Sequence, residues 1–165
     1  MRRIPAVIAA VALLVAYASN AHALCIYRGK LYAKTTLEQE FHDAKVVVRA
    51  VAISSKDLYP SDDSDDSDPS VLYRVRVEQS FKGKPPEILV DYAERNSGGF
   101  DLDVGTEYLL FLNPITPDAA REFPAWKKNA PDALMVNYNC GQSRPWAKVS
   151  AEDRGRLSKL SEGTK

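Results

Sequence analysis

The series of short apolar runs separated by turn-forming residues is the feature that most restricts what this chain can fold into. Residues 45–53 are almost all β-branched or apolar, which is typical of a largely buried strand. Val71, Tyr73, Val75 and Val77 alternate with Arg74, Arg76 and Glu78, as in a half-buried strand. Three further runs follow at residues 87–92, 107–112 and 133–137. Five such strands predict a closed or partly closed antiparallel barrel.

Two amphipathic stretches predict short helices at the two ends of this series. Thr35 and Thr36 are followed three positions later by Glu38 and Gln39, and either pair fits the capping-box pattern that begins a helix, so we predict a helix over residues 36–44. Leu37 and Phe41 lie four residues apart on one face of it. A second helix is predicted over residues 150–161, with an interior glycine at Gly155 that weakens it.

The segments between the runs read as turns and loops. Residues 54–70 are rich in serine and aspartate, so we predict a solvated loop there. The aspartates between Asp62 and Asp68 leave a calcium site open as an alternative, although the central glycine and terminal glutamate of an EF-hand loop are missing. Glycines and prolines predict a turn at residues 81–86, and four prolines predict an irregular crossing over residues 114–131.

The first 23 residues have the order of a secretory signal peptide. Two arginines precede a short apolar run, and small residues end at Ala23, which closes an Ala-x-Ala cleavage site. Cleavage after Ala18 and lipidation at Cys25 are the alternatives, but Leu24 stands where a lipoprotein has a small residue. The apolar run is too short for a membrane anchor, so no stable membrane insertion is expected. Residues 24–165 are then one exported domain.

The mature part would hold two cysteines, Cys25 and Cys140, near its two ends. In an oxidising compartment an even number of cysteines predicts a disulfide, and two buried free thiols are the alternative. The chain has 22 basic and 22 acidic residues, and the signal peptide removes only basic ones. A near-neutral, slightly acidic protein is a poor match for nucleic acid, so no nucleic-acid partner is predicted.

Few residues suit catalysis or metal binding. His42 is the only histidine after the signal peptide, and it is expected on the solvent side of the first helix. No cluster of His, Cys or carboxylate residues has the spacing of a metal site, and no glycine-rich phosphate loop occurs. The simplest interpretation of Asp101 and Asp103 is that they form a turn. We therefore predict a non-enzymatic protein without a cofactor; a small hydrolase that uses these three residues is the alternative.

Four segments resemble the tissue inhibitors of metalloproteinases and the wider netrin-like domains. Residues 40–53 are similar to the opening helix and first strand of that family, and residues 73–83, 104–111 and 139–146 follow in the same order. The resemblance covers most of residues 25–146 and implies an OB-like five-stranded Greek-key barrel. In the animal inhibitors, the free amino group and carbonyl of an N-terminal cysteine chelate the zinc of the protease. Cys25 is the matching residue here; Leu24 precedes it, and Ile26 and Tyr27 follow where the family has Cys-x-Cys.

The sequence thus predicts a periplasmic or secreted binding module with a protein partner, for which the resemblance implies a zinc metalloprotease. The candidate partner-binding residues are Leu24, Cys25, Ile26 and Tyr27. The alternative is a glycan- or other ligand-binding envelope protein, because OB-type barrels can present aromatic stacking platforms. Its aromatic residues would be Tyr92, Trp126, Tyr138 and Trp146, unless these belong to the core.

Overall fold

The structure, a computed structural model, describes residues 25–58, 70–95, 99–115 and 130–163. Its strands are β1 (Ile26–Tyr27), β2 (Lys30–Leu31), β3 (Val46–Leu58), β4 (Ser70–Lys82), β5 (Ile88–Glu94), β6 (Glu107–Pro114), β7 (Leu134–Val136) and β8 (Arg144–Pro145). Its helices are α1 (Leu37–Asp43), a 3-10 turn (Trp146–Lys148) and α2 (Ala151–Glu162).

Five strands close into a barrel in the order β3-β4-β5-β7-β6, and β6 pairs back onto β3. This confirms the mainly β, OB-like five-stranded barrel that the sequence predicts. One detail differs, because the expected all-antiparallel sheet contains a parallel pair: β5 and β7 run in the same direction. Thirteen buried residues from the strands and the loop before β6 fill the interior, among them Val48, Val75, Leu89 and Leu110.

The long strand β3 makes closure possible because it pairs with both of its neighbours. Its pairing with β4 is interrupted by register shifts at three places, between Val47 and Val48, between Arg49 and Ala50, and between Ala52 and Ser54. Bulges of this kind bend and twist a strand, so one strand can turn from one side of a barrel to the other.

The two helices cover one outer face of the barrel. Of the two predicted capping pairs, Thr36 and Gln39 form the box: the Gln39 backbone donates to the Thr36 side chain, and the Gln39 side chain accepts from the Thr36 backbone. Leu37 and Phe41 of α1 pack with Leu157 of α2 against the barrel. Lys82 of β4 donates to the backbone oxygens of Phe41 and His42, which lie at the C-terminal end of α1.

Two loop predictions need correction. The sequence places residues 54–58 in a solvated loop, but β3 continues through Leu58, because residues 54–58 pair with β4 between Ser70 and Arg74. Phe81 and Lys82 were expected in a turn, yet they end β4 because Phe81 is buried beneath the helices. The signal peptide, the aspartates of the acidic tract and most of the proline-rich crossing lie outside the described residues. Among the described helices, none is long and apolar enough to cross a membrane.

Candidate functional site

A small hairpin precedes the first helix and stands apart from the barrel sheet. Strands β1 and β2 pair Ile26 with Leu31 and Tyr27 with Lys30, and Arg28 and Gly29 form the turn between them. Both turn residues have positive φ, 49° and 76°, as a type I′ turn requires. Gly29 adopts this conformation without steric cost.

Three large apolar side chains of this segment face solvent. Ile26, Leu31 and Tyr32 are 56%, 59% and 54% exposed, and they are three of the five exposed large hydrophobic residues among the described ones. We call these three residues the hairpin patch. Scattered single apolar residues are normal on protein surfaces, whereas three within seven residues are an unusual local concentration.

The disulfide anchors the hairpin to the body of the protein. Cys25 is bonded to Cys140, with 5.9 Å between their Cα atoms, which confirms the predicted pairing. The ring of Tyr27 lies 5.1 Å from the ring of Tyr138, and the hydroxyl of Tyr138 donates to the backbone oxygen of Ala33 at 3.1 Å. The base of the hairpin is therefore buried while its apolar outer side chains stay in water.

A carboxylate on α1 holds the turn of the hairpin. Asp43 accepts hydrogen bonds from the Tyr27 hydroxyl and from Arg28, whose Nε lies 2.9 Å from Oδ2. Burial alone would raise the pKa of Asp43, but the hydrogen bonds from Tyr27, Arg28 and His42 outweigh it and lower the pKa to about 2. Burial and the bond to Asp43 raise the pKa of Tyr27 to about 12. The hairpin is thus fixed in one orientation before any partner binds.

Glu40 fixes the other side of the disulfide. It is fully buried, and its Oε1 accepts from the Gln142 backbone N–H at 2.8 Å and from the Thr35 hydroxyl. Burial raises the pKa of Glu40, although these hydrogen bonds oppose the increase. Gly141 lies against the carboxyl group so closely that an added Cβ would come within 2.6 Å of Cδ of Glu40. The loop that carries Cys140 is therefore held against α1.

Two open grooves border the hairpin. One, of about 430 Å³, is lined by residues 32–35, Tyr138, Cys140 and Gln142. The other, of about 710 Å³, has Phe41 and Leu160 among its apolar lining and Arg28, Lys82 and Lys159 as cations. Both offer space for side chains of a partner next to the hairpin patch.

The hairpin segment is also basic. Residues 25–36 contain Arg28, Lys30 and Lys34 and no acidic residue, and all three cations are exposed. Arg28 is paired with Asp43. Lys30 and Lys34 form no ion pair within the described part of the chain, so they remain available to acidic groups of a partner.

The predicted partner-binding residues divide into two groups. Ile26 is exposed, whereas Cys25 and Tyr27 are only 3% and 9% exposed. Leu24 lies outside the described residues. The backbone oxygen of Cys25 accepts a hydrogen bond from the Tyr32 N–H at 2.7 Å. Of the predicted residues that the structure describes, Ile26 is therefore the one whose side chain is exposed, and the Cys25 carbonyl is engaged within the hairpin.

The three residues considered for hydrolysis each have a structural partner. Asp101 accepts from the Tyr73 hydroxyl at 3.1 Å, and the backbone N–H of Asp103 donates to the Tyr108 hydroxyl at 2.9 Å. His42 has an 86% exposed side chain, and its Nδ1 lies 3.1 Å from Asp43 Oδ1. Within the described ranges, no group of three or more His, Cys, Asp or Glu side chains is placed to hold a metal ion.

The aromatic residues considered for ligand stacking are largely covered. Tyr92 and Tyr138 are 2% and 4% exposed. Trp146 stacks on Phe81 at 6.2 Å, and the guanidinium groups of Arg49 and Arg154 lie over its ring. Trp126 lies outside the described residues. No protein-family model matches the chain, and no curated protein matches it in sequence.

Sequence reasoning missed Leu31 and Tyr32 as members of the patch. A weak signal was present, because Arg28-Gly29 stands between Ile26-Tyr27 and Lys30-Leu31, but two-residue strands are too short to show a period. It also missed the buried carboxyl groups of Glu40 and Asp91, which nothing in the local sequence distinguishes from surface acids.

Proposed function

We propose that this protein is an exported binding module that contacts another protein through the hairpin patch. The observation that carries the proposal is the concentration of exposed apolar side chains on a hairpin that is itself rigidly anchored. A surface that is held in place before binding loses little conformational entropy on association. Apolar anchors beside open grooves are typical of protein interfaces.

The basic character of the hairpin indicates the chemistry of the partner. Lys30 and Lys34 flank the patch, so a partner with an apolar centre and an acidic rim would complement it. The family resemblance adds a specific class, and we propose zinc metalloproteases as the first partners to test.

The N-terminus decides how such an inhibitor would act. Chelation of zinc by Cys25 needs a free amino group, and cleavage after Ala23 would leave Leu24 in front of it. Chelation by the Cys25 carbonyl would also compete with its bond from Tyr32. The intact mass of the exported protein, before and after reduction and alkylation, gives the first residue. A chain that starts at Cys25 would support zinc chelation; one that starts at Leu24 would restrict the contact to the patch.

Substitutions in the patch test the proposal directly. We expect the double variant Ile26→Ser/Leu31→Ser to fold like the wild type, because both side chains are in water, but to lose binding to captured partners and to purified metalloproteases. Truncation of apolar interface anchors commonly costs about 2 kcal/mol or more, which is at least a thirtyfold loss in affinity.

Val104→Ser is the matched control, since Val104 is an apolar side chain that is 54% exposed in a loop outside the hairpin. Binding should be measured by calorimetry or surface plasmon resonance after partners captured from envelope extracts have been identified. Equal binding by the patch variant and the control would refute the proposed surface.

A further inference from the structure

The weakest seam of the barrel lies between β5 and β7. Strand β5 pairs with β4 along its whole length, from Ile88 to Glu94. Against β7, in contrast, the described residues form a single pair, Asp91 with Leu134. Among the described strands, β3 pairs with β6 over six residues and β6 with β7 over three, and β3 and β4 pair over most of their length. No other junction between these strands depends on one pair.

Asp91, a member of this single pair, has its carboxyl group inside the barrel. Asp91 lies on the same face of β5 as Leu89 and Ala93, because side chains two positions apart in a strand point the same way. Leu89 and Ala93 belong to the interior cluster. Its exposure is 0%, and neither carboxyl oxygen has a hydrogen-bond partner among the described residues. An unpaired charge in such a place is far more costly than a neutral carboxyl group.

Within the part of the chain that the structure describes, the groups around Asp91 offer it no counter-charge. The titratable residues that β4 and β6 contribute to the interior are Tyr73 and Tyr108, whose hydroxyls are bonded to Asp101 and Asp103. The interior residues of β3 and β7 are apolar. Burial alone raises the pKa of Asp91 well above its usual value, with no contribution from a neighbouring charge.

Open space lies next to the seam at both ends of the single pair. A groove of about 510 Å³ lies on the N-terminal side of the pair, lined by residues 84–86, 88–90 and 130–134 together with Val46. A smaller cavity of about 30 Å³ lies on the other side, where Tyr92 and Ala93 approach Met135 and Val136. Only a short stretch of β5 and β7 separates the Asp91 carboxyl group from these spaces.

We propose that Asp91 is a pH-dependent latch of the barrel: its carboxyl group is neutral when the barrel is closed, and its ionisation separates β5 from β7. An ionised carboxylate needs water or a counter-charge. Separating β5 from β7 admits water and breaks fewer backbone hydrogen bonds than separating any other pair of described barrel strands, because one residue pair joins them. The latch is a property of the barrel and does not depend on which partner the hairpin patch binds.

The sign of the pH dependence follows from linkage. Because the pKa of Asp91 is raised in the closed state above its usual 3.8, opening releases a proton. The closed state therefore has its full stability below pH 3.8 and loses it as the pH rises toward the pKa of the buried group. Within that window, each pH unit lowers the equilibrium constant for closure by up to about tenfold.

Asp91→Asn tests the latch, because the amide has the same shape and does not titrate. Hydrogen exchange of backbone amides is compared between the wild type and Asp91→Asn at each pH from 5 to 9. We expect the amides of Tyr92 and of β7 to be progressively less protected in the wild type than in Asp91→Asn as the pH rises. Amides of β3 should show no such difference. Glu40→Gln is the matched control, since it removes the other buried carboxyl group and should leave the wild-type trend in β7 intact.

Carbon-13 NMR titration of the Asp91 carboxyl group in the wild-type protein is a second, independent test. It does not require Asp91→Asn to fold. A midpoint well above 3.8, accompanied by chemical-shift changes in β7, supports the latch. A midpoint near 3.8, or equal exchange profiles for the wild type and Asp91→Asn, overturns it.

Discussion

At the scale of single residues, Gly141 shows how closely the loop around the disulfide is packed. An added Cβ would overlap the Glu40 carboxyl group, which is fully buried and cannot move into water. We expect Gly141→Ala to lower the free energy of unfolding by about 1–3 kcal/mol, the usual cost of overfilling a packed site. Urea unfolding followed by tryptophan fluorescence measures this change.

Gly155 provides the matched comparison for that substitution. It lies in the interior of α2, and a Cβ there would meet no atom within 4 Å. Gly155→Ala should therefore raise the free energy of unfolding by about 0.5–1 kcal/mol, because alanine favours the helix. If both variants changed stability in the same direction, the close packing of Gly141 on Glu40 would not explain the result.

The burial of the Glu40 and Asp91 carboxyl groups could not be predicted from the sequence. Ile88, Val90 and Tyr92 form the more apolar face of β5 in the sequence, yet Leu89, Asp91 and Ala93 face the barrel interior. Which face of a strand is buried depends on how the barrel closes, and an isolated strand does not contain that information. Cys25 and Cys140, by contrast, were predictable as a pair because the number of possible partners was one.

At the scale of elements, the link between the hairpin and α1 depends on Asp43. Its pKa is lowered to about 2 from 3.8, so the carboxylate stabilises the fold above pH 3.8 and this contribution is lost as the pH falls toward 2. We expect Asp43→Asn to be less stable than the wild type at pH 6 and to lose less stability between pH 4 and pH 2. Urea midpoints across this range measure both effects.

Asp57→Asn is the control for that series. Asp57 pairs with Arg95 at 2.6 Å, but both side chains are about as exposed as an ordinary surface pair, at 40% and 44%. Surface pairs contribute little, so this variant should follow the wild-type curve. If the two substitutions changed stability equally, the contacts of Asp43 with the hairpin would stabilise the fold no more than an ordinary surface ion pair does.

The elements that could be predicted are those with a long pattern. The capping box at Thr36 and the apolar run of β3 each identify their element. The end of β3 at Leu58 could not be predicted, because residues 54–57 are polar and become a strand only through pairing with β4. The parallel pairing of β5 with β7 likewise follows from barrel closure rather than from any local period.

At the scale of the whole molecule, the disulfide joins residues 115 positions apart. Loops of that length lose about 4–5 kcal/mol of unfolded-state entropy when they are cross-linked. We expect the double variant Cys25→Ser/Cys140→Ser to be less stable by an amount that approaches this value. Calorimetry with and without a reductant measures it, and the reductant should lower the melting temperature of the wild type only. A variant that melts at the same temperature as the oxidised wild type would contradict the expectation.

The same covalent bond determines how the molecule carries mechanical load. A force that pulls on the two ends of the chain reaches Cys25 and passes through the disulfide to Cys140, so the residues between them bear none of it. All five barrel strands lie inside this loop, whereas α2 lies beyond it. Under tension α2 therefore detaches first, and the barrel remains folded for as long as the sulfur–sulfur bond is intact.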